Sequence, residues 1–301
     1  MGGRAVTAGN MPAAEVDIDA ELVRSLLRDQ HPDLAGLELQ QVAFGWDNVV
    51  FRLGDDLAVR IPRRQLAADL IRSEQRWLAE LAPHLPLPVP APVRVGRPAL
   101  GYPWTWSVVA WMDGTDAATD PPVDPHETAE VLGGFLRALH QPAPPDAPVN
   151  RFRGIPLADR HAITVQAIDA IRDDLDVDSV RAAWAAALAV PPYDGPALWV
   201  HGDLHPANLV VRDGHLAGVI DFGDLTSGDP ATDLLVAWSL LPRSEHETFR
   251  AAAGGVDDDT WARGRGWAVA HAVACLASSA DNPTIAGFSR RGLAAALDDP
   301  A

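Results

Sequence analysis

His201-Gly202-Asp203-Leu204-His205-Pro206-Ala207-Asn208, followed thirteen residues later by Asp221-Phe222-Gly223-Asp224, is the stretch from which the rest of the chain can be read. Between the two blocks, Leu209-Val210-Val211-Arg212 has the composition of a short strand, and His215 to Ile220 that of its partner. Asp213-Gly214 joins them as a two-residue turn whose central positions both take positive φ. Pairing Arg212 with His215 sets Asn208 opposite Val219 and leaves Asp221 just beyond the open end. Asn208 and Asp221 then meet at one end of a hairpin, close enough to share a divalent cation. Asp203 lies on the loop that enters it.

Two carboxylates and one amide in this arrangement suit phosphoryl transfer, which needs a positioned hydroxyl and a neutralised triphosphate. The five-residue step from Asp203 to Asn208 is the spacing of a kinase catalytic loop, where the Asp accepts the hydroxyl proton and the Asn holds Mg²⁺. Asp221-Phe222-Gly223 supplies the second metal-binding carboxylate in the same order.

The bulk properties narrow the partners. A chain of 301 residues with 48% hydrophobic and 22% charged content can bury a substantial core in one large domain or two lobes. A net charge of −17 argues against nucleic acid. All 24 basic residues are arginine, so any task that kinases give to a lysine falls here to an arginine. The single cysteine, Cys275, lies in an apolar helical stretch and reads as a buried thiol. With no leader-like start and no run of about 18 apolar residues, a cytoplasmic protein without a membrane partner is expected.

Residues 1–15 are small and polar and are expected to be disordered. A helix capped near Asp17 or Asp19 precedes three β segments, Leu37 to Phe44, Val49 to Leu53 and Leu57 to Ile61. A helix follows from Gln65 to Leu81, with Leu66, Leu70, Trp77, Leu78 and Leu81 as its apolar stripe. After a proline run come strands at Val93 to Val95 and Trp106 to Trp111. Everything later reads mainly helical, from the Asp124-Pro125 helix start, through helices across 157–190, to two or three helices beyond Asp224. The expected architecture is α+β: a bilobal protein-kinase-like fold with a small antiparallel β-sheet N-lobe (16–109, nucleotide-binding) and a larger helical C-lobe (110–301, catalytic and substrate-binding).

Ala58-Val59-Arg60-Ile61 occupies the place of the kinase strand that carries the phosphate-binding lysine. Arg60 keeps the charge in a planar fork that can span two phosphate oxygens, and Glu74 in the next helix is its natural partner. No Gly-x-Gly-x-x-Gly loop is present. Gly45-Trp46-Asp47-Asn48 fills that turn, so phosphate cover falls to fewer backbone N–H groups or to Asn48.

His201–Asn208, Ile220–Asp224 and Gly228-Asp229-Pro230-Ala231-Thr232-Asp233, in this order, resemble the aminoglycoside phosphotransferase family. This is the small-molecule branch of the kinase-like fold, which also holds macrolide phosphotransferases. The resemblance spans about Leu22 to Leu297. It implies Asp203 as catalytic base and Asn208 and Asp221 as Mg²⁺ ligands. Ala110, Trp111 and Met112 would form the hinge that reads the base of ATP or GTP, with Ala110 and Met112 lending backbone groups. His201, Asp229 and Asp233 would be structural supports of the loop. Arg60 departs from the lysine of aminoglycoside enzymes, and Ala58-Val59-Arg60-Ile61-Pro62 looks closer to macrolide phosphotransferases.

The implied activity is transfer of a nucleotide γ-phosphate to a hydroxyl of a small molecule, an aminoglycoside-type antibiotic first and a macrolide or metabolite second, by a monomer or homodimer. Such an enzyme would serve antibiotic resistance or self-protection. A nucleotide-binding pseudokinase is the alternative from a different class, raised by the missing lysine and glycines and opposed by the intact Asp203, Asn208 and Asp221. A metal-hydrolase reading of His201 and His205 finds no further ligand with suitable spacing in the neighbouring sequence. The substrate-binding residues are left open. Asp173, Asp174, Asp176, Asp257, Asp258 and Asp259 would suit a cation, and Trp184, Trp238, Trp261 and Trp267 an apolar wall.

Overall fold

The computed structural model describes residues 13–45, 47–174 and 176–299. Of the stretch expected to be disordered, residues 1–12 lie outside these; Glu15 is described, and its N–H donates to the Arg63 carbonyl at 2.9 Å. The chain divides into two compact units, one made of residues up to Pro83 with Val89–Asp113, the other of His84–Pro88 with residues from Gly114 onward. No helix among the described residues is long and apolar enough to cross a membrane.

The first unit is a five-stranded antiparallel sheet in the order β1-β2-β3-β5-β4, with β1 Leu39–Phe44, β2 Asn48–Leu53, β3 Leu57–Pro62, β4 Pro92–Gly96 and β5 Trp106–Ala110. Helix α1 (Ala20–Gln30) starts at Asp19, whose carboxylate accepts the Leu22 N–H, and its Val23, Leu26 and Leu27 enter the core with Phe51, Val59, Ile61 and Trp106. Helix α2 (Gln65–Leu81) keeps its expected bounds but shows the core a different face. Ala67, Ala68, Ile71, Trp77 and Leu78 are buried while Leu66 is largely exposed, because small residues let the helix lie close to the sheet. That rotation carries Glu74 inward.

The second unit holds seven helices among the described residues: α3 (Pro125–Leu139), α4 (Leu157–Ala170), α5 (Val177–Ala189), α6 (Leu235–Leu240), α7 (His246–Ala252), α8 (Asp258–Ser278) and α9 (Pro283–Asp298). Four rather than two or three follow Asp224, since Pro242 and the Gly254-Gly255 pair, both at positive φ, divide what reads as longer runs. Helix α8 is the axis, packed by α4, α5, α6 and α9 and buried nearly all round at Trp267–Val273. Asp124 caps α3 by accepting from His126 and Glu127 N–H, with Pro125 in the first turn.

Two small β elements complete this unit: a three-stranded sheet β6-β8-β9 and the pair β7-β10. Their strands are β6 Thr115–Asp116, β7 Leu198–Val200, β8 Leu209–Arg212, β9 His215–Val219 and β10 Thr226–Gly228. This combination of an antiparallel sheet unit and a helical unit is the kinase-like fold expected from the sequence.

Candidate active site

The β8–β9 hairpin turns on Asp213 (φ 54) and Gly214 (φ 83), the paired left-handed residues that a tight hairpin demands. Arg212 faces His215 as expected, but the register slips between Val210 and Val211. Leu209, not Asn208, therefore lies opposite Val219. The extra residue is a β-bulge around Ala217. Its effect is to bring Asn208 against Ile220, whose N–H donates to the Asn208 carbonyl at 2.9 Å. Asp221 follows at once, with φ 62, in the left-handed region that Asp tolerates better than most residues.

The loop carrying Asp203 is held from below. The Asp233 carboxylate accepts the backbone N–H groups of His201 (2.8 Å) and Gly202 (2.9 Å) and lies 3.0 Å from His140 Nε2. His201, fully buried, has Nε2 3.1 Å from the Ile220 carbonyl and packs on Phe222, linking the loop to the second block. Asn208 Nδ2 donates to the Asp203 carbonyl at 2.9 Å and lies 3.4 Å from His205 Nε2, which commits the amide nitrogen to protein. Asp229 caps the short turn Pro230–Thr232 through the Ala231 N–H and accepts from Arg263 Nε at 2.8 Å, a pair buried at both ends.

Arg153, Asn150, His205 and His271 surround the carboxylates. Arg153 donates to Asp203 Oδ1 at 2.9 Å and stands 3.7 Å from Asp224 Oδ2. Asn150 Nδ2 donates to Asp224 Oδ1 at 2.7 Å. Burial would raise the Asp203 carboxyl, yet His205 and Arg153, with hydrogen bonds from His205 and His271, hold it well below the usual carboxylate range. Asp224 goes the other way: burial and the nearby Asp203 and Asp221 charges push it up against the pull of Arg153 and Asn150. Asp203 is thus a fixed anion, and Asp224 lies within electrostatic reach of both Asp203 and Asp221.

Arg153 and Asn150 carry no motif and follow what reads as a proline-rich linker, so nothing in the sequence marks them. They arrive because residues 148–154 are stitched to β10. Ser227 N–H donates to the Pro148 carbonyl, Asn150 N–H to Thr226 Oγ1, and Asp229 N–H to the Gly154 carbonyl, all at 2.8–2.9 Å. The fit is backbone against backbone: Gly154 has φ 68, and a Cβ on Gly228 would fall 2.0 Å from the Gly154 oxygen. His271 arrives from α8, sixty-eight residues beyond Asp203 (271 minus 203), where a histidine in an apolar helix gives no signal by spacing.

The remaining sequence-derived residues belong to the first unit. Arg60 and Glu74 form a two-pronged ion pair, Arg60 Nη1 to Glu74 Oε2 and Nη2 to Oε1, with both side chains buried. Asn48 opens β2 opposite Pro62; its Oδ1 is buried without a hydrogen-bond partner among the described residues, and its carbonyl accepts the Gly45 N–H. Ala110 ends β5 opposite Leu57, and Trp111 N–H donates to the Asp56 carbonyl at 2.7 Å. Met112 follows in irregular backbone.

A model of the phosphotransferase enzyme family matches residues 38–267. The chain belongs to that family. An aminoglycoside 3'-phosphotransferase of Escherichia coli is 28% identical over 140 residues, covering 43% of this chain and 50% of that protein. The chain therefore spans about half the length of this curated relative. An uncharacterized Bacillus subtilis protein, YcbJ, is 26% identical over 225 residues, 70% of this chain and 69% of its own. Among solved structures, the GDP complex of wild-type aminoglycoside 2'-phosphotransferase-IIIa superposes with a TM-score of 0.67 at 19% identity, covering 93% of this chain and 99% of that one. Macrolide 2'-phosphotransferase MphH from Brachybacterium faecium, as apoenzyme, gives 0.58 at 24% identity over 93% and 98%.

Proposed function

We propose that this family member transfers the γ-phosphoryl group of ATP or GTP, with Mg²⁺, to a hydroxyl of an aminoglycoside-type antibiotic, as a resistance or self-protection enzyme. One observation carries the reading. The chain Asp203 carbonyl to Asn208 amide, Asn208 carbonyl to Ile220 N–H, then Asp221, ties the three candidate residues into one local unit. The Escherichia coli relative is an aminoglycoside 3'-phosphotransferase, and the net charge of −17 complements a polycationic acceptor.

The donor set fits Mg²⁺: with the Asn208 amide nitrogen committed to protein, its amide oxygen and the Asp221 carboxylate are hard oxygen ligands, beside an excess of carboxylate over guanidinium. When bound, the ion would offset charge on the phosphates. Asp203 orients the acceptor hydroxyl and receives its proton. A carboxylate held this far below neutral is a weak base, which suffices when the transition state is loose and proton transfer comes late. Arg153 keeps Asp203 ionised and aimed. Arg60, braced by Glu74, contacts the non-transferred phosphates, and Ala110 to Met112 bind the base.

The test is Mg²⁺-dependent consumption of ATP and of GTP by purified protein against aminoglycosides, macrolides and neutral polyols, with the product mass measured. An adduct of one phosphoryl group on an aminoglycoside is expected. Phosphorylation confined to macrolides would overturn the acceptor assignment, and nucleotide turnover unaffected by any acceptor would overturn the transferase.

A further inference from the structure

Arg160 is a buried cation that the phosphoryl-transfer site leaves unused. Four arginines are buried among the described residues: Arg60, Arg63, Arg160 and Arg263. Arg60 pairs with Glu74, Arg63 donates to the Gly45 carbonyl, and Arg263 pairs with Asp229. Arg160, only 4% exposed, makes no hydrogen bond or ion pair with any described residue, and its Nε is enclosed without a partner.

Its close neighbours are aromatic. The guanidinium carbon lies 5.6 Å from the Trp267 ring centre and 5.9 Å from that of Phe152. Aromatic faces attract the charge but leave the in-plane N–H groups without acceptors. Trp267 Nε1 and, one turn further along α4, Thr164 Oγ1 are likewise buried without partners among the described residues. Arg160 also stands in the first turn of α4, which opens at Pro156 without a side-chain cap, and the positive end of a helix disfavours a cation. Burial, and then the nearby Arg153, press the guanidinium down to about 10 against the pull of Asp224, so it stays charged at neutral pH. Asp224 is itself engaged by Asn150 and Arg153.

The geometry points to an oxyanion-binding site anchored by Arg160, in which a carboxylate, sulfate or phosphate group lies on its guanidinium and Phe152 forms the exposed wall. An unpaired buried charge is strongly destabilising until an opposite charge meets it, and a guanidinium fork matches two oxygens of one such group. Phe152, half exposed, directly precedes Arg153, which donates to Asp203, so the site adjoins the candidate catalytic carboxylate. The group is therefore either a free ion or an acidic substituent of the acceptor.

The full-length protein is titrated with sodium sulfate against sodium chloride at matched ionic strength, and binding is followed by thermal midpoint and calorimetry. Sulfate at ten times its dissociation constant is expected to raise the wild-type midpoint by about 3–6 °C. Arg160→Met should lose that response. Without sulfate, Arg160→Met should melt at or above the wild-type midpoint, because a charge with no partner has been removed from the interior. A midpoint several degrees lower would make Arg160 a structural cation and overturn the site. Arg160→Lys keeps the charge and gives up the fork, so sulfate should bind it about tenfold or more weakly, the loss of one charge-assisted hydrogen bond. Equal affinity in Arg160→Lys, or an equal sulfate response in Arg160→Met, overturns the site as well.

Turnover assays separate the two sources of the group. Sulfate that competes with the acceptor, with the acceptor KM raised and the nucleotide KM kept in Arg160→Met, places the group on the acceptor. Sulfate that binds with both KM values unmoved makes it a free ion. Either result supports the site. A chain that binds sulfate through Arg160 yet phosphorylates no acceptor supports the site and counts against the proposed function. Transfer to an acceptor without Arg160-dependent sulfate binding overturns the site alone.

Discussion

Arg263 with Asp229 and Arg153 with Asp203 are the same pair of functional groups in the same unit, built to opposite ends. The first is closed. Both side chains are about 95% buried, Asp229 also accepts the Ala231 N–H, and Arg263 also donates to the Pro191 carbonyl and Thr260 Oγ1. One cation meets one anion and every remaining donor is spent on protein. The second is open and lopsided. Arg153 is shared between Asp203 and Asp224, Asp221 adds a third carboxylate nearby, and the Asp203 side chain keeps 26% of its surface. A balanced pair serves architecture; a surplus of anions facing solvent is poised for a cation and a polar substrate.

The contrast is broken most directly at Asp203. Asp203→Ala should cut turnover by about 10²–10⁴-fold while leaving the thermal midpoint near that of the wild type; activity within a few-fold of wild type would remove the residue from the chemistry. At the closed pair the signs reverse. Arg263→Ala strands the Asp229 carboxylate in the core and should cost about 3–5 kcal/mol in denaturant unfolding, with turnover per folded molecule largely kept. A fall in turnover without a fall in stability would show that Asp229 acts on the reaction itself.

Arg60 and Glu74 sharpen the comparison because they are buried like the closed pair yet are assigned a substrate role. Arg60→Ala should raise the nucleotide KM more than the acceptor KM, and a rise confined to the acceptor would end the phosphate assignment. The smallest effect is expected at His246. Burial against Trp238 and Trp261 lowers its imidazole pKa, outweighing Asp299 at 3.9 Å, which pulls it up with Arg243 opposing. Its contribution to stability is therefore complete above the unfolded histidine value of about 6.5 and is lost as pH falls below it, because the unfolded chain takes the proton first. Melting curves of wild type and His246→Phe should converge in slope above that pH and diverge below it; parallel curves would discount the residue.

Much of this was legible in the sequence where local chemistry decides the outcome. The bounds of α2 and the start of α3 follow from turn residues, a cap and a proline, and the three blocks around Asp203, Asp221 and Asp229 point to the family. What escaped was non-local or one residue fine. The hairpin turn fixes Arg212 against His215, but a bulge further along the ladder is invisible to turn chemistry and moves Asn208 from Val219 to Ile220. An apolar stripe drawn through Leu66 and Leu70 misses that Ala67 and Ala68 permit closer approach. Arg153, Asn150 and His271 reach the site through β10 pairing and helix packing, which no spacing rule encodes.

The contact between Gly154 and Gly228 has a consequence for how this chain can change over generations. A Cβ has no room at Gly228, and at Gly154 it has room but would sit on backbone at φ 68, so both positions resist variation for different reasons, and with them the placement of Arg153. Asp173, Asp174 and Asp259, on exposed turns and a helix start, carry no such restriction. Randomised libraries should therefore recover diversity at these acids, little at Gly154 and almost none at Gly228.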